Sequence, residues 1–250
     1  MSDAIVGRAA RACLAVLVVL GSGATLAEAL TRQQIEQRLA AGANDFTNLE
    51  APGANLAGLD FTGANLFGAN LKGADLSNCR LARANLTVAI LRDAVLANAD
   101  LRESKLFSSV LANANLNGAD LRGARIMGNF EGASLEGANL EGAQGGADMR
   151  NQPMGLIRLV LVGAHLRGAK LGGADLSRAD LSFADLRQAD LSRANLSRAR
   201  VAGADLTGAR LTEATFEAAE IHDAIFKDVI DLGTVRGMDT AEGRDTAKFE

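Results

Sequence analysis

A large apolar residue recurs at every fifth position over most of residues 46–226. Steps of five from residue 46 to residue 126 meet Leu, Phe or Ile at every centre except Ala51, and steps from 156 to 226 meet only Leu, Val, Ile or Phe. Alanine stands two positions before most of these centres. A period of five fits neither an α-helix nor a flat β-strand, which repeat at 3.6 and two residues. A fixed repeat over this much of a chain indicates a solenoid.

Each group of five residues divides into an apolar pair and three polar or small residues. The large centre and the small alanine suit the interior of a narrow tube. Asp or Asn usually precedes the centre, and Gly, Ser, Thr, Arg, Lys or Ala follow it. These three positions can face water, and Gly and Asx residues help the chain to turn corners. Four such sides predict a coil of about twenty residues, with coils stacked about 4.8 Å apart.

The stretch Ala64–Leu76 reads A-(N/D)-L-x-x without a gap, and this pattern resembles the consensus of the pentapeptide repeat proteins. The resemblance covers about 180 of the 250 residues. It implies an all-β fold, a right-handed quadrilateral β-helix with the central Leu or Phe and the preceding Ala inside. It implies little about activity, because few members of that family have an assigned function.

The N-terminal residues 1–29 have the order of a secretory signal peptide. Arg8 and Arg11 precede an apolar run over 12–20, and Ala27-Glu28-Ala29 supplies a small-residue cleavage site. A membrane anchor is the alternative, but this run is far shorter than the about twenty residues that a span needs. The sequence therefore predicts cleavage after Ala29, a periplasmic protein and no stable membrane span thereafter.

Residues 30–42 predict a short helix that caps the first coil. Thr31 and Gln34 have the spacing of a capping box, Ile35 and Leu39 share one face, and Gly42 follows the last turn. An open β-helix end exposes edge strands and core, so a plug is the expected role. Binding of a partner by this helix is the alternative.

The repeat divides the rest of the chain into two blocks, at residues 43–142 and 156–228. One residue is missing before Phe130, and the original phase returns by Leu156. The intervening residues 143–155 contain Pro153 and predict an irregular loop or bulge, either a binding element or an irregular coil without a partner. Residues 229–250 predict a C-terminal cap followed, from Gly237, by a mobile tail with little to bury.

Residues twenty positions apart are expected to stack on neighbouring coils. Two columns then alternate in sign, and they are Lys170, Asp190, Arg210 and Asp180, Arg200, Glu220. A third column contains only arginines, Arg158, Arg178 and Arg198. This arginine column is the candidate interaction surface, because stacked cations attract an anionic ligand or surface. A solvated face with neighbouring acids is the alternative.

The residues that usually carry chemistry are sparse. The chain has no Trp or Tyr, and its two histidines, His165 and His222, lack ligand-spaced neighbours. Cleavage would leave only Cys79, which occupies an alanine position and is predicted to be a buried small residue rather than a reactive thiol. No nucleotide-binding or hydrolase motif is present. We therefore expect neither an enzyme nor a site for a cofactor or metal.

Three functions fit these features, and the first is the one that the sequence predicts. The first is a non-catalytic periplasmic scaffold whose long faces bind another protein or an envelope component. The second follows from the resemblance, since some pentapeptide repeat proteins mimic duplex DNA, bind DNA gyrase and dimerise end to end. The third is a structural filler of the envelope. The net charge of −4 and pI near 5.3 disfavour direct nucleic-acid binding.

Overall fold

The computed structural model describes residues 30–147 and 157–250, and parallel backbone pairing between residues about twenty positions apart dominates it. Asp45 pairs with Asn65, Asn65 with Asn85, and the next set of pairs begins five residues on, at Glu50 and Asn70. Each coil therefore has four sides of five residues. The predicted signal peptide, residues 1–29, lies outside the described residues.

The paired residues form four columns that run along the stack. We call them column 1, which begins at Asp45, column 2 at Glu50, column 3 at Asn55 and column 4 at Asp60. Column 2 comprises Glu50, Asn70, Ile90, Val110, Asn129, Val160, Asp180, Arg200, Glu220 and Glu242. The outward residues of successive coils therefore lie side by side.

The interior is filled by the repeat's apolar pair. Leu71, Leu116 and Leu181 have no exposed surface, and neither do the alanines that precede such centres, such as Ala69 and Ala114. Because one large and one small side chain fill each side, the core is one continuous apolar cluster along the described coils.

The corners between sides need a left-handed backbone conformation. Gly63, with φ of +67°, adopts it without strain because glycine has no Cβ. Val88, with φ of +53°, holds the same kind of position although branching at Cβ disfavours it.

Helix α1 covers Arg32–Ala40 at the first coil. The Thr31 hydroxyl accepts the Gln34 N–H, and the Gln34 side chain accepts the Thr31 N–H at 2.7 Å, which completes the capping box. Ile35 is fully buried in the core cluster. The Arg32 guanidinium donates to the Asn55 carbonyl at 3.1 Å. These contacts hold α1 against the coil end.

Both irregularities of the repeat lie at the corner between columns 1 and 2. Two short parallel strands meet there, β1 (Ser109–Val110) and β2 (Gly128–Asn129). The side from Arg125 to Asn129 is one residue short, and a Cβ on Gly128 would lie 2.4 Å from the Ser109 carbonyl oxygen. Glycine is therefore required where the shortened corner brings two backbones together.

The second interruption of the repeat begins later than the loop that was predicted at 143–155. Gln144 still pairs with Arg125 below and with Asp175 above, so the regular coil continues past residue 143. The next side begins at Val160, which pairs with Asn129 and Asp180. Residues 148–155 of the predicted loop, together with residue 156, lie outside the described residues.

The C-terminal segment is an ordered part of the stack, contrary to the prediction of a tail after Gly237. The residues that pair with the coil below are six positions apart here, namely Ile230, Arg236, Glu242 and Lys248. Two 3-10 turns, Leu232–Thr234 and Met238–Thr240, lie on this coil. The Phe249 ring stacks on Phe226 with ring centroids 5.1 Å apart. The prediction failed because the repeat changes its length instead of ending.

Three threonines explain how this coil, with its six-residue step, stays bonded to the coil below. The hydroxyl oxygens of Thr234, Thr240 and Thr246 accept the backbone N–H groups of residues 213, 218 and 223 on the coil below, at 2.9 to 3.0 Å. On regular coils, backbone carbonyls of the next coil accept the equivalent N–H groups, as Lys227 does for Gly208. A side-chain oxygen of this coil thus takes the place of the backbone carbonyl that a regular coil offers. No helix in the described ranges is both long and apolar enough to cross a membrane.

Candidate interaction surfaces

Asp180 is the centre of a charged cluster on column 2. It is 5% exposed, accepts the Ser182 hydroxyl at 2.6 Å, and has Arg158 and Arg200 at 3.3 and 3.2 Å. Arg200 also contacts Glu220 at 3.1 Å. The predicted sign-alternating column is confirmed here, because Asp180, Arg200 and Glu220 are successive pairing partners.

The three arginines of the candidate surface have different environments. They occupy one corner on successive coils, because the residues two positions after them, Val160, Asp180 and Arg200, pair in sequence. Arg158 is held by Asp180, while Arg178 and Arg198 form no ion pair with any described residue. The corner therefore offers two uncompensated guanidinium groups, and anion binding by all three stays a prediction.

The second predicted charge column, in column 4, has fewer direct contacts. Lys170, Asp190 and Arg210 are successive pairing partners as predicted. Asp190 accepts the Ser192 hydroxyl, and Arg210 lies 3.9 Å from Asp231 on the terminal coil. The predicted stacking of opposite charges is therefore confirmed. The side chains of Asp190 and Arg210, however, contact residues outside this set of three.

Aspartate–arginine pairs two residues apart form a further surface feature that the sequence analysis missed. Asp100 contacts Arg102 and Asp120 contacts Arg122, each at 2.6 Å, and Arg102 also lies 3.8 Å from Asp120. The hydrogen bond from Arg102 holds the pKa of Asp100 below its usual value, and that from Arg122 does the same for the pKa of Asp120. The D-x-R spacing was the available signal. It lets one arginine neutralise two stacked carboxylates.

An apolar strip crosses the corner between columns 1 and 2. Phe67, Val88 and Ile90 are 41%, 41% and 42% exposed, and Phe107 and Val110 beside them are half-buried. Ile90 and Val110 are pairing partners in column 2, and the Val88 N–H donates to the Phe107 carbonyl. We call these five residues the apolar strip. Its members are apolar at outward repeat positions, which was the signal in the sequence, but only the coil register brings them together.

The comparisons with known proteins agree on one family. The family model for pentapeptide repeats matches ranges that together span residues 45–144 and 160–230. This chain belongs to the pentapeptide repeat family. Pentapeptide repeat proteins fold as right-handed quadrilateral β-helices, so the resemblance found in the sequence is confirmed.

Two solved pentapeptide repeat structures are similar to the chain. HetL, involved in heterocyst differentiation regulation in the cyanobacterium Nostoc sp. strain PCC 7120, is 32% identical with a TM-score of 0.60, over 85% of this chain and 94% of HetL. Trypsin-treated QnrB1, a plasmid-mediated fluoroquinolone resistance protein, is 22% identical with a TM-score of 0.50, over 75% of this chain and 85% of that one. The second likeness shows the fold alone. No curated protein sequence matches the chain.

The nucleophilic and metal-ligating residues of this pentapeptide repeat protein are dispersed. Cys79 has no exposed surface, and its thiol donates to the Leu56 carbonyl at 3.0 Å. Burial raises the pKa of Cys79 to about 11, which keeps it a thiol at neutral pH. His165 lies on column 3 and His222 near the terminal coil. In residues 30–147 and 157–250, no three His, Cys, Asp or Glu side chains are placed to hold one metal ion.

Proposed function

We propose that this protein is a non-catalytic periplasmic scaffold that binds another protein or an envelope component through the faces of its β-helix. The observation that supports this proposal is that the outward columns are continuous along the stack. Column 2 has nine pairing steps from Glu50 to Glu242, so it spans about 43 Å at the usual strand spacing. The interior is packed with Leu and Ala, which leaves recognition to the outer faces.

Export is the second part of the proposal, and the N-terminal sequence supports it. Arg8 and Arg11, the short apolar run and the Ala27-Glu28-Ala29 site are the usual parts of a cleaved signal peptide. The structure is compatible with a mature chain that starts at Leu30. The Leu30 N–H donates to the Glu50 carbonyl at 3.0 Å, so the coil stack is already engaged at that residue.

Cell fractionation followed by mass spectrometry of the N-terminus tests export. The proposal expects a periplasmic chain that begins at Leu30. An uncleaved chain in the cytoplasm would overturn it.

Photo-crosslinking in intact cells tests the scaffold. Photoreactive residues at outward positions of each column are expected to capture a discrete partner from one face and not from the others. Crosslinks that are equally weak on all four faces would contradict specific binding and support a structural filler.

A DNA mimic that binds DNA gyrase is the alternative function. The similarity to a fluoroquinolone resistance protein suggests this alternative. At 22% identity, however, the similarity concerns the fold only. The surface charge opposes it, because Arg102 and Arg122 neutralise the stacked acids of column 4 and Arg178 and Arg198 add positive charge. Protection of gyrase supercoiling from a fluoroquinolone by the purified protein would establish this alternative, and its absence would remove it.

A further inference from the structure

The column 2 residues of the apolar strip, Ile90 and Val110, have both backbone groups bonded to neighbouring coils. The Ile90 N–H donates to the Ala69 carbonyl, and the Ile90 carbonyl accepts the Leu71 N–H. Val110 is bonded in the same way to residues 89 and 91. A partner therefore cannot add a β-strand here, and binding has to use side chains, as when an amphipathic helix lays its apolar face on a hydrophobic surface.

Strain at Val88 is an independent observation at the same place. Its φ of +53° is unfavourable for a β-branched residue, and its side chain is 41% exposed, so core packing does not offset the strain. Asn48 holds the equivalent corner position two coils below with φ of +54° and is tolerated there because Asn favours this conformation. The fold imposes this conformation at its corners, so the exposed β-branched side chain is the unusual feature here.

The size of the strip fits a short helical segment. Its five residues lie on three successive coils, so it extends about 10 Å along the stack. Two turns of an α-helix have nearly this length, about 11 Å, and present three or four apolar residues on one side.

Cations border the strip on both sides. Lys105 and Arg125 lie on column 1, and Lys72 and Arg92 lie at the corner after column 2. All four are exposed, and none has an ion pair within the described parts of the chain. Asp93, which follows Arg92 in the sequence, accepts a hydrogen bond from Asn113 at 3.4 Å.

The border charges distinguish between possible partners. Two copies of this chain would bring like-charged borders together, which opposes self-association through the strip. Side chains that are about two-fifths exposed lie close to a flat side and do not form the protruding aromatic tips that enter lipid. An apolar stripe with acidic flanks satisfies both the strip and its border.

We infer that the apolar strip binds an amphipathic helix of a partner protein, with acidic residues on both sides of the helix's apolar stripe. This inference rests on the proposed scaffold function and names the surface that it uses. The contact places the partner's apolar residues on Ile90 and Val110 and its carboxylates opposite Lys72 and Lys105.

Two synthetic helical peptides of about fourteen residues, long enough for four turns, test the inference. They share one leucine stripe and differ only in having Glu or Lys on both flanks. Fluorescence anisotropy with the full chain is expected to show at least about tenfold tighter binding of the Glu peptide, weakened by added salt. Equal affinity for both peptides, or no binding of either at millimolar concentration, would overturn the inference.

Variants of the strip identify the surface. The double variant Ile90→Asn, Val110→Asn continues the Asn already present at residues 70 and 129 of the same column, so folding is retained. It is expected to weaken Glu-peptide binding at least about tenfold, as loss of two apolar anchors does. Ile230→Asn is the matched control, since Ile230 is 41% exposed on column 4. Undiminished binding by the double variant would assign the peptide to another surface.

Charge reversal tests the border separately. Lys72→Glu with Lys105→Glu is expected to remove most of the preference for the Glu peptide, because Arg92 and Arg125 then face two introduced carboxylates and the border has no net charge. Unchanged preference would contradict the role of the border.

The remaining partners have their own readouts. Sedimentation of the full chain with phosphatidylglycerol vesicles, lost in the double variant, would assign the strip to an anionic lipid surface. A dimer by sedimentation velocity that the double variant abolishes would assign it to a second copy.

The scaffold proposal can survive failure of this inference. If the double variant keeps the partner crosslinks seen in cells, the scaffold stands and another face binds the partner. If crosslinks are absent from every face while the Glu peptide still binds the strip, the scaffold function is rejected. The inference that the strip binds an acidic amphipathic helix is then kept.

Discussion

Ser104 and Ser109 occupy positions where the repeat usually has a buried alanine. Both are buried, and the Ser109 hydroxyl donates to the Leu106 carbonyl at 2.8 Å. The Ser104 hydroxyl has no hydrogen-bond partner among the described residues. A buried polar group without a partner lowers stability, because its hydration is lost and nothing replaces it.

Ser104→Ala is therefore expected to increase the free energy of unfolding by about 1 kcal/mol, measured by urea denaturation. Ser109→Ala is the control, since it removes a hydrogen bond that is made, and it is expected to be neutral or destabilising. A loss of stability in Ser104→Ala would show that the hydroxyl is satisfied in solution.

Val88 gives a second prediction at this scale. Val88→Asn is expected to stabilise the protein by about 1 kcal/mol, because Asn accepts a left-handed conformation more readily than a β-branched residue does. The reciprocal change, Gly63→Val, is expected to destabilise by a similar amount, since a Cβ there meets open space and only the backbone conformation with φ of +67° is strained. Equal stability of Val88→Asn and the parent chain in thermal denaturation would mean that the corner relaxes around Val88.

The terminal coil carries the first prediction at the scale of elements. Thr240→Val keeps the side-chain shape and removes the oxygen that accepts the Ala218 N–H at 3.0 Å. Loss of this bond, worth about 1 kcal/mol, is expected to speed hydrogen exchange of the Ala218 amide severalfold. The Ala219 amide, bonded to the Phe216 carbonyl, is the internal reference. Equal acceleration of both amides would indicate general loosening of the coil.

The Asp100–Arg102 and Asp120–Arg122 pairs predict a pH dependence. Their folded-state carboxyl pKa values are lowered, chiefly by the arginine hydrogen bonds, so this stabilisation is present above the unfolded pKa of about 3.9. It is lost as the pH falls through the lowered folded values. NMR titration is expected to give a midpoint for Asp120 below that of an unfolded aspartate, and Arg122→Gln is expected to raise it. An unmoved midpoint in Arg122→Gln would contradict the assigned cause.

At the scale of elements, the sequence predicted the regular coils and missed the C-terminal coil, where the step of the repeat changes. The capping box of Thr31 and Gln34 is a local signal, so spacing alone located α1 within two residues at each end. Thr234, Thr240 and Thr246 recur at six, and a search at five cannot register them. Their hydroxyls act only through the coil below, which is a contact between distant residues.

At the scale of the whole molecule, the period of five predicted the coil, and the step of twenty predicted which outward residues are neighbours. The columns of Lys170, Asp190 and Arg210 and of Asp180, Arg200 and Glu220 follow directly from that step. The ion pair between Arg158 and Asp180 did not follow, because it depends on the direction of a side chain at a corner where the repeat resumes. The apolar strip required the register of three coils at once.

The three threonine hydroxyls that bond the C-terminal coil to the coil below bear on how the length of the stack is set. The coils inside residues 45–125 and 160–230 repeat one pattern of backbone pairing, whereas α1 at one end and these threonines at the other make contacts of their own. Duplication or excision of one twenty-residue unit inside either of these ranges would leave α1 and the threonine contacts intact. The length of the stack would then change in steps of about 4.8 Å, one coil at a time, without any change at its two ends.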